Sequence, residues 1–391
     1  MNNKRMYIYQ TFLSKDRNDL GQFHNLNELK NQIEYIAEMG FTHIQVNPIF
    51  QSEDNCYHMY HCTDFYQIDK SFGTMEDFML LLEELNKFDM RIILDMVIDK
   101  TSKQHWWYKD FVQGKNQFYI AREWKENDCD PGIGSRSIYN WDSTINKWVI
   151  SPFGGFLPAL NVNNCDVRNE IAKVIKYWLS KGNNIDLRID GIYHTRWATR
   201  DFNPIPFCDF LRKTVDEIDP NIQLIGEVFL DGWQQKGEPI PYAESLGNTY
   251  NFADTFNIIR QINSGKTFND IYIENPYKRS IIFLGSHDTA RVASMLGNDI
   301  EKVRLFIKVI LEKSNADFSF YYGGENMFNG FVDNGYDLPV RQNHTVFDMA
   351  NVIKDKNSLF LCKRFQDFFL NSLRFKIAAL QHLFNNSVSV F

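Results

Sequence analysis

Short apolar runs and amphipathic helical stretches alternate along most of this chain, and that alternation constrains the fold more than any single motif. The β-prone runs are Met6 to Gln10, His43 to Asn47, Arg91 to Val97, Ile185 to Ile189, Ile222 to Glu227, Ile281 to Leu284 and Phe318 to Tyr322. Between them, apolar residues recur every three or four positions, as in Phe78, Leu81, Leu82 and Leu85, or Ile171, Val174, Ile175, Trp178 and Leu179. Asn25-x-x-Glu28 and Thr74-x-x-Asp77 read as helix capping boxes, the first opening a helix that runs through Leu26, Leu29, Ile33, Ile36 and Ala37. Strand and helix in alternation predict a parallel sheet with helices packed outside it. About eight such pairs favour an α/β fold of the (β/α)8 barrel kind over an open sheet. The absence of a Gly-x-Gly-x-x-Gly turn after an early strand also disfavours a dinucleotide fold.

The pattern fails from about Asp99 to Pro158, a segment rich in Trp, Tyr, Gly and Asn that is too long for a simple connection. The expected organisation is therefore a barrel built from residues 1–98 and 159–391, with an inserted subdomain at 99–158. Elements between Leu230 and Asn275 are not placed by periodicity. A helix-like stretch from Leu373 to Phe384 runs almost to Phe391, so a C-terminal β-sandwich is expected to be absent.

The formal charge of −7 and the lack of a Lys/Arg-rich run argue against a nucleic-acid surface. No apolar leader or membrane-spanning run is seen, so a cytoplasmic protein without membrane association is expected. The six cysteines lack metal-type spacing and are expected to be free thiols. Aromatic residues make up 15% of the chain, which suits a carbohydrate site as well as a core.

In a barrel the functional groups stand at the C-terminal strand ends. Asp95, Asp190, Glu227 and Asp288 all fall there. Arg188 and Asp190 are two apart on a strand, so both face the same side, and the arginine favours the ionised aspartate. Taken alone, Arg188-x-Asp190 is no more than a buried ion pair.

Six motifs in order carry a resemblance to the α-amylase family of retaining glycoside hydrolases, in its neopullulanase and oligo-α-glucosidase branch. Asn47-Pro-Ile-Phe50, His58-Met-Tyr60 and Asp69-Lys-Ser-Phe-Gly-Thr74 resemble the family's second strand region and following loop. Asp95-Met-Val-Ile-Asp-Lys100 is similar to D-x-V-x-N-H, and Arg188-Ile-Asp190 through His194 matches R-x-D-x-x-x-H. Glu227-Val-Phe229, Ser286-His-Asp288 and Leu157-Pro-Ala-Leu-Asn161 supply the others. The resemblance implies Asp190 as nucleophile, Glu227 as acid/base with a raised pKa, and Asp288 as a third carboxylate binding sugar hydroxyls. It further implies Tyr60 as a stacking platform and His194 and His287 as hydroxyl partners. Asp95 is expected to orient Arg188, with His58 a weaker candidate.

This chain departs from the family pattern at Lys100 and Asp99, where histidine and asparagine are usual, at Ser286, usually asparagine, and at His61, often aspartate. Lys100 is expected either to face the pocket, lowering the pKa of Glu227, or to swing away to solvent or pair with Asp99, leaving a position that water fills. The implied activity is hydrolysis of α-glucosidic bonds in maltooligosaccharides or related α-glucans. Transglycosylation, or glycan or partner binding without full catalysis, are the alternatives. No cofactor is expected to be required; calcium is implied only weakly, because Asp99 replaces the usual asparagine.

Overall fold

The computed structural model describes residues 5–15, 21–123, 138–198, 203–229, 239–274, 279–324, 327 and 330. Eight parallel strands form the central sheet: β1 (Tyr7–Gln10), β2 (His43–Val46), β3 (Arg91–Met96), β4 (Ile185–Ile189), β5 (Leu224–Gly226), β6 (Asn248–Thr249), β7 (Ile281–Leu284) and β8 (Asp317–Tyr321). Neighbours in the sheet follow chain order, and β1 pairs with both β2 and β8. A parallel bridge from Tyr250, just past β6, to Ile281 closes the ring. The barrel expected from the alternating pattern is the fold observed.

Strand alternation sorts the side chains. On β4, Ile185, Leu187 and Ile189 pack outward into the core shared with the helices, so Arg188 and the following Asp190 take the inner face. Ile8, Ile93, Ile225 and Phe283 come from β1, β3, β5 and β7 and meet in a separate inner cluster. That layer, drawn from alternate strands, makes the barrel floor a packed core rather than a pore. The polar groups stand above it, toward the strand ends.

The helices follow the spacing that predicted them, with two differences. Thr74 caps Met75–Lys87 with the full reciprocal box, as expected. The first helix is instead two short ones, Leu26–Lys30 and Ile33–Glu38, because the chain tightens at Asn31 and Gln32 and the Gln32 amide bonds to the Leu29 carbonyl. Residues 239–274 hold Ile240–Leu246, β6 and Phe252–Asn263. The two residues of β6 carry no periodicity of their own and are strand only by pairing with β5.

After β3 the chain carries a helix, Trp106–Val112, and a three-stranded antiparallel sheet of Ala121–Arg122, Lys147–Ile150 and Tyr139–Asp142. Trp107 is buried in the core against Phe65 and Phe118, whereas Trp106 is exposed. The stretch after β2 forms a second antiparallel pair, Phe50–Ser52 with Cys62–Ile68. Residues 373–384 lie outside the described part of the chain. No helix among the described residues is long and apolar enough to cross a membrane.

Candidate active site

The strand ends of β3, β4 and β5 converge on one guanidinium. Arg188, fully buried on β4, donates through Nη1 to Asp95 Oδ2 and, at 2.9 Å, to Asp190 Oδ1. Its Nη2 lies 2.9 Å from Glu227 Oε1. The register explains the grouping: Asp95 of β3 and Ile225 of β5 flank Arg188 directly, and Asp190 and Glu227 follow as their strands end. Gly191 then turns at φ +51° and donates its N–H to Glu227 Oε2 at 3.1 Å. A β-carbon there would stand 3.1 Å from His194 Nδ1 in a backbone region that L residues disfavour.

Lys100 completes the cation pair around Asp190. Its Nζ is 2.8 Å from Asp190 Oδ2, and 2.8 and 3.1 Å from the two oxygens of Asp99. Phe153 covers the ammonium, with its ring centre 4.5 Å away. The Leu157-to-Asn161 motif holds Lys100 in place from the other side: Ala159 forms an antiparallel bridge with Lys100, and Leu160 N–H bonds to Asp99 O at 2.8 Å. Lys100 is thus buried and paired with both aspartates, which joins the two alternatives posed by the sequence.

The electrostatics separate the two central acids. Burial alone raises Asp190, but the ammonium of Lys100 and then the guanidinium of Arg188 outweigh it and hold Asp190 below the ordinary range. Lys100, more than Arg188, keeps it charged. Burial pushes Glu227 up to about 7; Arg188 opposes this, while the negative charges of Asp190 and Asp288 add to it. Glu227 thus stands raised rather than lowered, while the Lys100 ammonium pairs with Asp99 and Asp190.

A second line of groups closes the other wall. Tyr60 Oη donates to Asp95 Oδ2 at 2.8 Å and lies 2.6 Å from His287 Nε2. Gln10 Nε2 is 3.0 Å from His287 Nδ1; with the amide donating, the ring proton sits on Nε2, facing Tyr60 and, at 3.0 Å, Asp288 Oδ2. The Tyr60 and His287 rings stack with centres 5.7 Å apart. The Asp288 side chain is 32% exposed, so it reaches the open side. Ser286 Oγ accepts the Asp288 N–H at 3.2 Å and shapes that turn.

Most of the expected site residues are therefore brought together: Tyr60, Asp95, Lys100, Arg188, Asp190, Glu227, His287 and Asp288. His194 borders them, its ring edge-on to Phe153 at 4.7 Å; burial, then the charge of Lys100, holds it down to about 4 and so neutral. His58 accepts the Tyr60 amide at 3.2 Å, but its other partner is Cys56 rather than a carboxylate. Gln10 was missed, although a lone amide closing an apolar first strand was a usable signal. Asp99 does not suit calcium here, because both its oxygens accept from the Lys100 ammonium, whose charge opposes a divalent ion.

The model of the alpha-amylase catalytic domain matches residues 8–360. Alpha-amylase 3 of Dictyoglomus thermophilum is 28% identical over 357 residues, covering 85% of this chain and 66% of that protein. The glucan 1,6-alpha-glucosidase of Streptococcus pneumoniae is 26% identical over 335 residues, 75% of this chain and 59% of its own length. The chain thus spans less than two thirds of these relatives. The crystal structure of alpha-amylase from H. orenii superposes with a TM-score of 0.75 at 22% identity, over 96% of this chain and 82% of that one. Eubacterium rectale Amy13B gives 0.68 at 25% identity, over 85% and 68%. With the family model covering most of its length and the barrel shared, this chain belongs to the α-amylase family.

Proposed function

We propose that this chain hydrolyses α-glucosidic bonds in short maltooligosaccharides or related α-glucans with retention of configuration. Asp190 attacks the anomeric carbon, and Glu227 protonates the leaving oxygen and then activates water. Asp288 and His287 bind hydroxyls of the sugar at the cleaved bond, Tyr60 stacks on it, and Asp95 orients Arg188. His194, held neutral, offers a further donor.

The observation that carries this reading is the Arg188 bridge between Asp190 and Glu227. One guanidinium across both carboxylates suits the short separation of retaining pairs, about 5–5.5 Å, better than the roughly 6.5–9.5 Å of inverting ones. The opposed pKa directions support these roles, a charged nucleophile beside an acid that holds its proton near neutrality. Relatives named as oligo-1,6-glucosidases and maltases support short substrates. The four described cysteines, Cys56, Cys62, Cys165 and Cys208, are free, which suits a cytoplasmic protein; no cofactor enters the reaction.

A member with impaired catalysis that still binds glycans is the second reading. The Lys100 ammonium on Asp190 Oδ2 favours it, because it draws electron density from the attacking carboxylate. Incubation with maltotriose, pullulan, isomaltose and cyclodextrin, followed by product analysis, separates the readings. Shortened sugars support hydrolysis, lengthened ones transglycosylation, and unchanged substrate under saturating protein rejects both activities and favours the impaired, glycan-binding member.

A further inference from the structure

We propose that Cys56, His58 and His61 form a binding site for a borderline-soft divalent transition-metal ion of the Zn²⁺ type. The three residues sit on the loop between Phe50–Ser52 and Cys62–Ile68, in the spacing Cys-x-His-x-x-His. Loop hydrogen bonds set their approach: Glu53 N–H to His61 O at 3.2 Å, Cys56 N–H to Glu53 O at 3.0 Å, and Ser52 Oγ to His61 O at 3.0 Å. Between the histidines, Met59 turns the chain in the left-handed region at φ +74°.

The distances suit one ion. Cys56 Sγ is 3.5 Å from His58 Nδ1 and 3.7 Å from Nε2, and one ligand atom from each of the three residues lies within 4.8 Å of the others. A tetrahedral zinc with Zn–S of about 2.3 Å and Zn–N of about 2.0–2.1 Å holds sulfur and nitrogen roughly 3.5 Å apart. The His58 and His61 rings meet edge-on with centres 4.9 Å apart. Glu53 Oε2 lies 3.4 Å from His61 Nδ1 and accepts its proton, which leaves Nε2 as the ligating nitrogen. A carboxylate behind a ligating histidine is the usual support of such sites.

The donor chemistry selects the ion class. One thiolate and two imidazoles suit zinc, cobalt or copper and disfavour magnesium and calcium, which want oxygen. Cys56 is buried, and its sulfur lies within hydrogen-bond reach of the His58 ring. Sulfur ligates as the thiolate, so the ion takes the place of the thiol proton on binding. His58 Nδ1 gives up its 3.2 Å bond from the Tyr60 amide on ligation. The proposal is independent of the glycosidase reading, because its test is binding.

The full chain, reduced and stripped with chelator, is titrated with Co²⁺ by absorbance and with Zn²⁺ by calorimetry. One ion per chain and a thiolate-to-cobalt charge-transfer band are expected. Cys56→Ser removes the band and weakens zinc binding, His61→Ala weakens it by about tenfold or more, and Cys165→Ser, which removes an exposed thiol elsewhere, changes neither. Should Cys56→Ser fail to fold by circular dichroism, His61→Ala decides with the same two readouts. Absence of the band in the wild-type chain, or binding unchanged in the folded variants, overturns the assignment.

Discussion

Lys100 Nζ and Asp190 Oδ2 form a buried ion pair at 2.8 Å, at the end of the strand that also presents Arg188. Asp190 thus has a cation on each oxygen, Arg188 on Oδ1 and Lys100 on Oδ2. The pair keeps the carboxylate charged but makes it a weaker nucleophile than one held by hydrogen bonds alone.

Lys100→His tests that pair. A neutral imidazole no longer stabilises the Asp190 anion, so its pKa rises. The acidic limb of kcat/KM should move up with it, and kcat on neutral maltooligosaccharides should increase. An unmoved acidic limb would place the control of Asp190 with Arg188 alone.

The double-displacement roles are tested by Asp190→Asn and Glu227→Gln. Each should lower kcat by about 10²-fold to 10⁴-fold or more while the circular dichroism spectrum is kept. Wild-type enzyme should release the α anomer first, since two inversions restore configuration. Proton NMR of the anomeric signals within the first turnovers checks this, and a β product would rule out attack by Asp190.

Glu227 links activity and stability to pH. Its ordinary value of 4.5 rises to about 7 in the fold, so between those values the unfolded chain releases a proton that the folded chain retains. Stability therefore falls as pH rises through that window and levels off above it. Glu227→Gln removes this loss and should raise stability at pH 8, by on the order of 2 kcal/mol, with little gain at pH 4. Denaturant unfolding at the two pH values gives the difference. The alkaline limb of wild-type activity should lie near 7, because catalysis needs the proton.

Tyr60 separates stacking from hydrogen bonding. Tyr60→Phe keeps the ring but loses the contacts to Asp95 and His287, worth about 1 kcal/mol each. It should lower kcat about tenfold with KM nearly unchanged, whereas Tyr60→Ala should raise KM as well. Steady-state kinetics on maltotriose distinguishes them, and equal effects of the two variants would remove the platform role.

By itself, the sequence determined the barrel and the inward face of its key strand. Period-two alternation at Ile185 to Ile189 and period-three-to-four spacing in the helices are local properties, and they hold in the structure because burial rewards the same faces that the pattern marks. Motif order also marks Asp190, Glu227 and Asp288 as one group. Tertiary structure alone decided the rest, because it depends on contacts between residues distant in the chain. β6 is strand only through β5, and His287 is oriented by Gln10, 277 positions away. Lys100 finds Asp190 across 90 positions, so that its charge pairs directly with the nucleophile. Coulomb forces and hydrogen bonds act over a few ångströms of space, and spacing along the chain does not encode that distance.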